Sequence, residues 1–165
     1  MRKAVFLDRD NTLIYDHGYI HEPEKVFLLE GVGKGLKLLK EAGYMLIAVS
    51  NQSGIGRGYF EEKDFWAVNS KLQELLKPFG VQIDAFFFCP HKPDDNCTCR
   101  KPKTEMALKA SQELNISLKD SIMIGDKDSD LEFGFKAGMK CSLKVGSHPF
   151  NNFLKAAKFV VENYG

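Results

Sequence analysis

Five short apolar runs, each separated from the next by a longer stretch that contains an amphipathic segment, limit what this chain can fold into. Ala4 to Asp8, Met45 to Ser50, Ala85 to Cys89, Ile122 to Gly125 and Cys141 to Lys144 read as strands. Between them, Gly31 to Ala42 (Val32, Leu36, Leu39 and Lys40 in helical phase), Glu61 to Phe79, Thr104 to Leu114 and Ser129 to Ala137 read as helices, bounded by Gly, Pro or capping residues. Such alternation predicts an α/β fold with a doubly wound, mainly parallel sheet. Parallel neighbours need crossover connections, and right-handed crossovers place helices on both faces. Ala157 to Val161 is open to an edge strand or a helix end, and Phe159-Val160-Val161 tips the expectation towards a strand. With 165 residues, 44% of them hydrophobic, and no repeat, low-complexity tract or linker, the chain is expected to form a single domain over residues 1–165.

The formal net charge is +1, and the Lys, Arg, Asp and Glu residues are scattered. No stripe of charge advertises nucleic acid or an anionic membrane, and no apolar run approaches the length of a bilayer span, so a small ligand is the better expectation. The four cysteines divide unevenly. Cys89, Cys97 and Cys99 cluster around His91, while Cys141 lies apart in an apolar stretch and reads as a core residue. That asymmetry favours a metal site in a reducing compartment over two disulfides, and the chain is read as cytosolic.

The chemistry-bearing residues sit where strands stop, which is where ligands bind in sheets of this class. The first strand ends in Asp8-Arg9-Asp10-Asn11-Thr12, two carboxylates one residue apart and on one side of an extended chain. Like charges that close need a cation or unequal protonation; the plainer alternative is a solvated turn rich in Asp. The second strand ends in Ser50-Asn51-Gln52-Ser53-Gly54, where a hydroxyl, an amide and backbone N–H groups suit phosphate oxygens, though such residues also make plain turns and caps. Arg100-Lys101-Pro102 sets two cations before a helix start. Gly125-Asp126-Lys127-Asp128-Ser129-Asp130 closes the fourth strand; a helix dipole accounts for Asp128 or Ser129, but not for a second carboxylate group on the sheet edge of Asp8 and Asp10.

This ordered set, Asp-x-Asp, Ser, Lys and Gly-Asp-x-x-x-Asp, resembles the four motifs of the haloacid dehalogenase-like phosphohydrolases from Phe6 to about Val145. Asp16-His17-Gly18-Tyr19, Asn51-Gln52-Ser53-Gly54-Ile55, Cys89-Pro90-His91, Cys99-Arg100-Lys101-Pro102 and Gly125-Asp126-Lys127 are similar to the D,D-heptose 1,7-bisphosphate phosphatases and their histidinol-phosphate phosphatase relatives. The first two segments favour the heptose branch; the five residues between His91 and Cys97 resemble the histidinol branch. Asn11 stands where the family usually has Gly, and Asn also tolerates left-handed backbone angles; Ser50 stands for the commoner Thr.

The resemblance implies that Asp8 is the nucleophile, forming an aspartyl-phosphate, and that Asp10 is the acid that protonates the leaving group and then the base that activates water. It implies Mg²⁺ held by Asp8, the Asp10 backbone carbonyl and Asp126, and phosphoryl contacts from Ser50 and Lys101. Arg100 and Lys127, with the short loops Asp16, His17, Gly18, Tyr19 and Asn51, Gln52, Ser53, are expected to recognise the substrate, a small phosphorylated metabolite. Arg57 is a candidate for a second phosphate. No stretch is long enough for the cap domain common in the superfamily, so an open, capless site is expected. Cys89-x-His91-x₅-Cys97-x-Cys99 offers three thiolates and an imidazole, which suits closed tetrahedral Zn²⁺ in a structural role. A monomer is expected.

Other classes fit less well. A response-regulator receiver accepts phosphate at the end of its third strand, where this chain has Cys89. A polynucleotide end phosphatase shares the chemistry but wants a basic or aromatic groove. A catalytically dead binding protein has no need of Asp8, Asp10, Lys101 and Asp126 together.

Overall fold

The computed structural model describes residues 1–165. Five strands, β1 (Ala4–Leu7), β2 (Met45–Asn51), β3 (Ala85–Cys89), β4 (Ile122–Gly125) and β5 (Cys141–Lys144), form one sheet in the order β3-β2-β1-β4-β5, with every pair parallel. The helices are α1 (Val32–Glu41), α2 (Ser53–Gly56), α3 (Glu62–Leu76), α4 (Glu105–Leu114), α5 (Asp128–Lys136) and α6 (Phe153–Tyr164). The chain winds outward from β1 to β3, then returns to the other side of β1 for β4 and β5. The reversal falls between β1 and β4, and a crevice opens there at the carboxyl ends of the strands.

Both faces of the sheet are buried, as a parallel sheet with helices on each side requires. Val5, Leu7, Leu46, Ala48, Ile122 and Ile124 share one core with α1, α3 and α6; Ala4, Phe6, Ile47, Val49 and Met123 share the other with α4 and α5. The alternation along β1 therefore sends Leu7 to one side and Phe6 to the other. β1 has only apolar, fully buried residues, and its first polar side chain, Asp8, comes where the ladder ends.

The strand expected near Ala157 to Val161 is instead part of α6. The short window Phe159-Val160-Val161 has β-branched character, but the longer segment buries Phe153, Ala156, Ala157 and Val160, a spacing of three and four, in the core that α1 shares. Asn152 caps it, its side-chain oxygen accepting from the Lys155 N–H at 3.0 Å. Tertiary packing overrides local propensity there. The segment between β1 and α1 carries only a 3₁₀ turn, Pro23–Lys25, and that between β3 and α4 is the cysteine loop, so no cap is inserted.

Candidate active site

Three loops meet over the reversal: residues 8–20 after β1, residues 51–57 after β2 and residues 90–103 after β3, joined by the turn from β4 into α5. They enclose a cavity of about 520 Å³, lined by Asp8, Asp10, Asp16, Arg57, Arg100, Lys101, Lys127 and Asp130 among 17 residues, only one of them hydrophobic. A larger groove of about 770 Å³ lies elsewhere, beside β3 and the cysteine loop. The smaller, charged cavity is the one with chemistry in it.

At its floor, Lys101 is 4% exposed and its ammonium is fully used: Nζ donates to Asp8 Oδ1 at 2.8 Å, to Asp130 Oδ1 at 2.7 Å and to the Val49 carbonyl at 2.8 Å. Burial works against its charge, but Asp8 and Asp130 outweigh that and hold its pKa above the ordinary lysine value. Asp130 completes its own bonding by accepting the Lys127 N–H at 3.1 Å, and a Cβ at Gly125 would overlap its carboxylate, which is why the strand ends in glycine. Burial, with the Asp8 carboxylate adding to it, raises the Asp130 pKa against the pull of Lys101. Burial likewise pushes Asp8 up to about 7, against Lys101 and with the nearby Asp126 adding to the rise.

The floor holds more carboxylates than cations. Oxygens of Asp8, Asp126 and Asp130 lie within 4.8 Å of one another, with a single ammonium among them. The Thr12 hydroxyl sits between Asp8 Oδ2 at 3.5 Å and Asp126 Oδ1 at 3.3 Å. An all-oxygen donor set with surplus negative charge fits a hard divalent cation such as Mg²⁺.

Asp10 turns the other way. Its carboxylate accepts from Arg9 Nε at 2.8 Å and Nη2 at 3.4 Å, and from Gln52 Nε2 at 3.0 Å. Gln52 also donates to Ser50 Oγ at 2.6 Å. The two aspartates thus differ in surroundings: Asp8 faces the buried ammonium and the acidic cluster, Asp10 a guanidinium and a neutral amide. The left-handed turn that redirects the chain after both aspartates falls on Asn11, φ 61°.

Several residues expected to touch substrate line the cavity and also shape its loops. Asn51 clamps the backbone of Lys101, accepting its N–H at 2.9 Å and donating to its carbonyl at 3.3 Å. Asp16 Oδ1 accepts the N–H groups of Gly18 at 3.0 Å and Ile20 at 2.9 Å, fixing the turn that carries Tyr19 to the cavity wall. Gln52 and Ser53 line the cavity, whereas Ser50, 1% exposed, sits behind Gln52, and exposed His17 is outside the lining. Sequence reading missed Arg9, Thr12 and Asn69. Arg9 had a visible signal: a charged residue at the strand phase opposite two carboxylates.

The cysteine loop departs in part from expectation. The sulfurs of Cys89, Cys97 and Cys99 come within 4.8 Å of one another, but Cys89 and Cys99 are joined as a disulfide and Cys97 is free. His91, the fourth expected ligand, is not gathered with them. The chain leaves the sheet at Pro90, whose carbonyl accepts the Gly56 N–H at 2.9 Å, so the extended geometry that would set His91 beside Cys89 ends one residue early. The separation of 3.7 Å between Cys89 Sγ and Cys97 Sγ still fits a shared zinc, since Zn–S bonds of about 2.3 Å give tetrahedral S···S edges of about 3.8 Å.

Comparison with known proteins bears on both features. The family model described as "Polynucleotide kinase 3 phosphatase" matches residues 3–142. The D-glycero-beta-D-manno-heptose-1,7-bisphosphate 7-phosphatase of Haemophilus ducreyi is 45% identical over 151 residues, covering 87% of this chain and 83% of its own. That of Pasteurella multocida is 41% identical over 171 residues, covering 99% and 93%. Among solved structures, D,D-heptose 1,7-bisphosphate phosphatase from B. bronchiseptica, complexed with magnesium and phosphate, aligns with TM-score 0.88 at 26% identity over 97% of this chain and 98% of that one. The corresponding Burkholderia thailandensis enzyme aligns with TM-score 0.65 at 30% identity, covering 94% and 85%.

Proposed function

The chain belongs to the haloacid dehalogenase-like phosphatases, in the family that holds the D,D-heptose 1,7-bisphosphate phosphatases, and from that premise we propose that it removes the 7-phosphate of D-glycero-β-D-manno-heptose 1,7-bisphosphate. The observation that carries the reaction is the pair Asp8 and Asp10 at one cavity floor in unlike surroundings, one against an ammonium and one against a guanidinium and an amide. The substrate follows from relatives matched over nearly the whole chain.

Asp8 attacks phosphorus in line; its oxygen bonds to phosphorus as the bond to the sugar oxygen breaks, and Asp10 gives that oxygen its proton. Asp10, now a carboxylate, takes a proton from water, which attacks the aspartyl-phosphate and frees Asp8 and inorganic phosphate. Lys101 fixes the Asp8 carboxylate and spreads positive charge under the phosphoryl group; Asp130 holds Lys101 in turn, and Ser50, behind Gln52, accepts that amide's N–H and steadies it rather than reaching the phosphoryl group. Mg²⁺ would be held by the Asp8 carboxylate, the Asp10 backbone carbonyl and Asp126. Bound there it supplies charge neutralisation between an anionic nucleophile and an anionic ester. Arg57, Arg100 and Lys127 line the cavity away from the floor and meet the rest of the substrate, Arg57 its second phosphate.

With the Cys89–Cys99 bond reduced, the cysteine loop would serve as a structural zinc site, Cys89, Cys97 and Cys99 supplying thiolates and His91 the fourth ligand by a turn of its loop. Zinc content and thiol titration test this: one metal per chain, and all four thiols titratable once it is chelated, are expected. Metal-free protein with Cys97 and Cys141 as its only thiols would sink it.

The deciding assay is Mg²⁺-dependent phosphate release from both anomers of the heptose bisphosphate and from histidinol phosphate, with Asp8→Asn as blank. Preference for the β-bisphosphate is expected. Preference for histidinol phosphate would make the compact spacing between His91 and Cys97 the better guide and overturn the substrate.

A further inference from the structure

Arg9 lies between the two aspartates, is 0% exposed, and has no task in the chemistry above. All its polar contacts are internal. Beyond its two donors to Asp10, Nη1 donates to Asn69 Oδ1 at 2.9 Å and approaches the Phe65 carbonyl at 3.5 Å, and the guanidinium stands 4.8 Å from the centre of the Phe65 ring. Asn69 and Phe65 both belong to α3, about sixty residues further along the chain. A buried guanidinium is held only where its fork is matched. Here the fork is divided between one carboxylate and one helix.

Asn69 is the unusual half of that arrangement. It is 2% exposed, and its Nδ2 is the one buried side-chain polar atom that finds no partner. Turning the amide over would face donor to donor against Arg9, so Arg9 dictates its orientation. An aspartate in the same place would leave no orphaned donor, but it would compete with Asp10 for the guanidinium. A neutral acceptor anchors Arg9 and leaves Asp10 as its only carboxylate.

We propose that Arg9 and Asn69 are positioning residues for proton transfer by Asp10: Arg9, anchored on α3 by Asn69 and Phe65, holds the carboxylate from one side while Gln52 holds it from the other. The reactive geometry is thereby tied to α3 as well as to the strand ends. This rests on the reading of Asp10 as the leaving-group acid, which the same experiment tests separately.

The experiment measures kcat/KM for a series of phosphate monoesters, from p-nitrophenyl phosphate, whose leaving group needs no proton, to simple alkyl phosphates, whose leaving group does. Asp10→Asn should depress the alkyl esters far more than the aryl ester; if it depresses both alike, the reading of Asp10 fails whatever Arg9 does. Given that pattern, Arg9→Lys and Asn69→Asp should lower kcat/KM for alkyl phosphates by about tenfold or more while changing the aryl ester less than about threefold, because a misaimed acid matters only where a proton is needed. Inhibition by inorganic phosphate should be unchanged in both. Equal losses across the series would mean a merely structural role and overturn the proposal, as would no loss at all. Asn69→Asp, close to isosteric, carries the test if Arg9→Lys does not fold.

Discussion

At the floor of the cavity most charged groups already have partners, Asp126 excepted: Lys101 bonds two carboxylates and a carbonyl, Asp10 an arginine and a glutamine. At its rim, Arg57, Arg100 and Lys127 form no ion pair, and Arg57 and Lys127 are exposed. The floor is assembled before any ligand arrives; the rim has charge in reserve. Preorganised groups act on what every phosphate ester shares, the phosphoryl centre. Unpaired cations on short loops act on what differs between esters, and they do so at little cost in stability because water solvates them in the free protein.

The comparison breaks most sharply at Asp8. Asp8→Asn should remove turnover by at least about 10⁴-fold, since losing a covalent nucleophile cannot be offset by the rest of the site; ³²P labelling of the wild type and its absence in the variant would check the step. Lys101→Met should follow. It leaves Asp8 and Asp130 buried without their shared cation, and breaking such a pair from one side costs about 3–5 kcal/mol, so both activity and the melting temperature should fall. A Lys101 variant as stable as the wild type would mean that the floor is not organised around this ammonium. At the rim the expected effect is smaller and of another kind: Arg57→Ala should raise KM for a bisphosphate about tenfold at constant kcat, with monophosphates unaffected. Unchanged bisphosphate affinity would remove Arg57 from substrate recognition.

The smallest effect sharpens the contrast by pH. The Asp8 carboxyl is raised to about 7 in the fold from 3.8. A carboxyl raised by folding makes the folded state bind a proton more readily, so its penalty is fully present above about pH 7 and is relieved as pH falls towards about 4. Protein stripped of divalent cations should therefore gain a few degrees in melting temperature over that descent, relative to its Asp8→Asn variant, and added Mg²⁺ should abolish the difference. Parallel pH curves for the two proteins would show that Asp8 is not strained by its burial.

Much of this floor was legible in the sequence. Three strands, Ala85–Cys89, Ile122–Gly125 and Cys141–Lys144, occur with the expected bounds; the first two stop where Pro90 and Asp126 follow the apolar run. Asp8 and Asp10 were legible as residues from their placement at a strand end, and Lys101 from its place before a helix start. Their partners were not. Asn51 and Gln52 line the cavity as expected, but their internal bonds, to the Lys101 backbone and to Asp10, were invisible because an amide suits phosphate as well as it suits a backbone or a carboxylate. Asn69 carried no local signal, since its role depends on a residue sixty positions earlier. α6 was missed for the opposite reason: a five-residue window spoke for a strand, and the helical period appears only over twelve residues.

The bidentate clamp of Asn51 on the Lys101 backbone has a consequence for how such a chain can change over generations. Because the amide at the end of β2 fixes where residue 101 enters the site, the span before it, from His91 to Cys99, is relieved of that duty. Deletions and insertions in that span alter the rim and its cysteine spacing while the ammonium stays in register with Asp8. Substrate preference can therefore drift by loop length alone, with the reaction itself inherited intact.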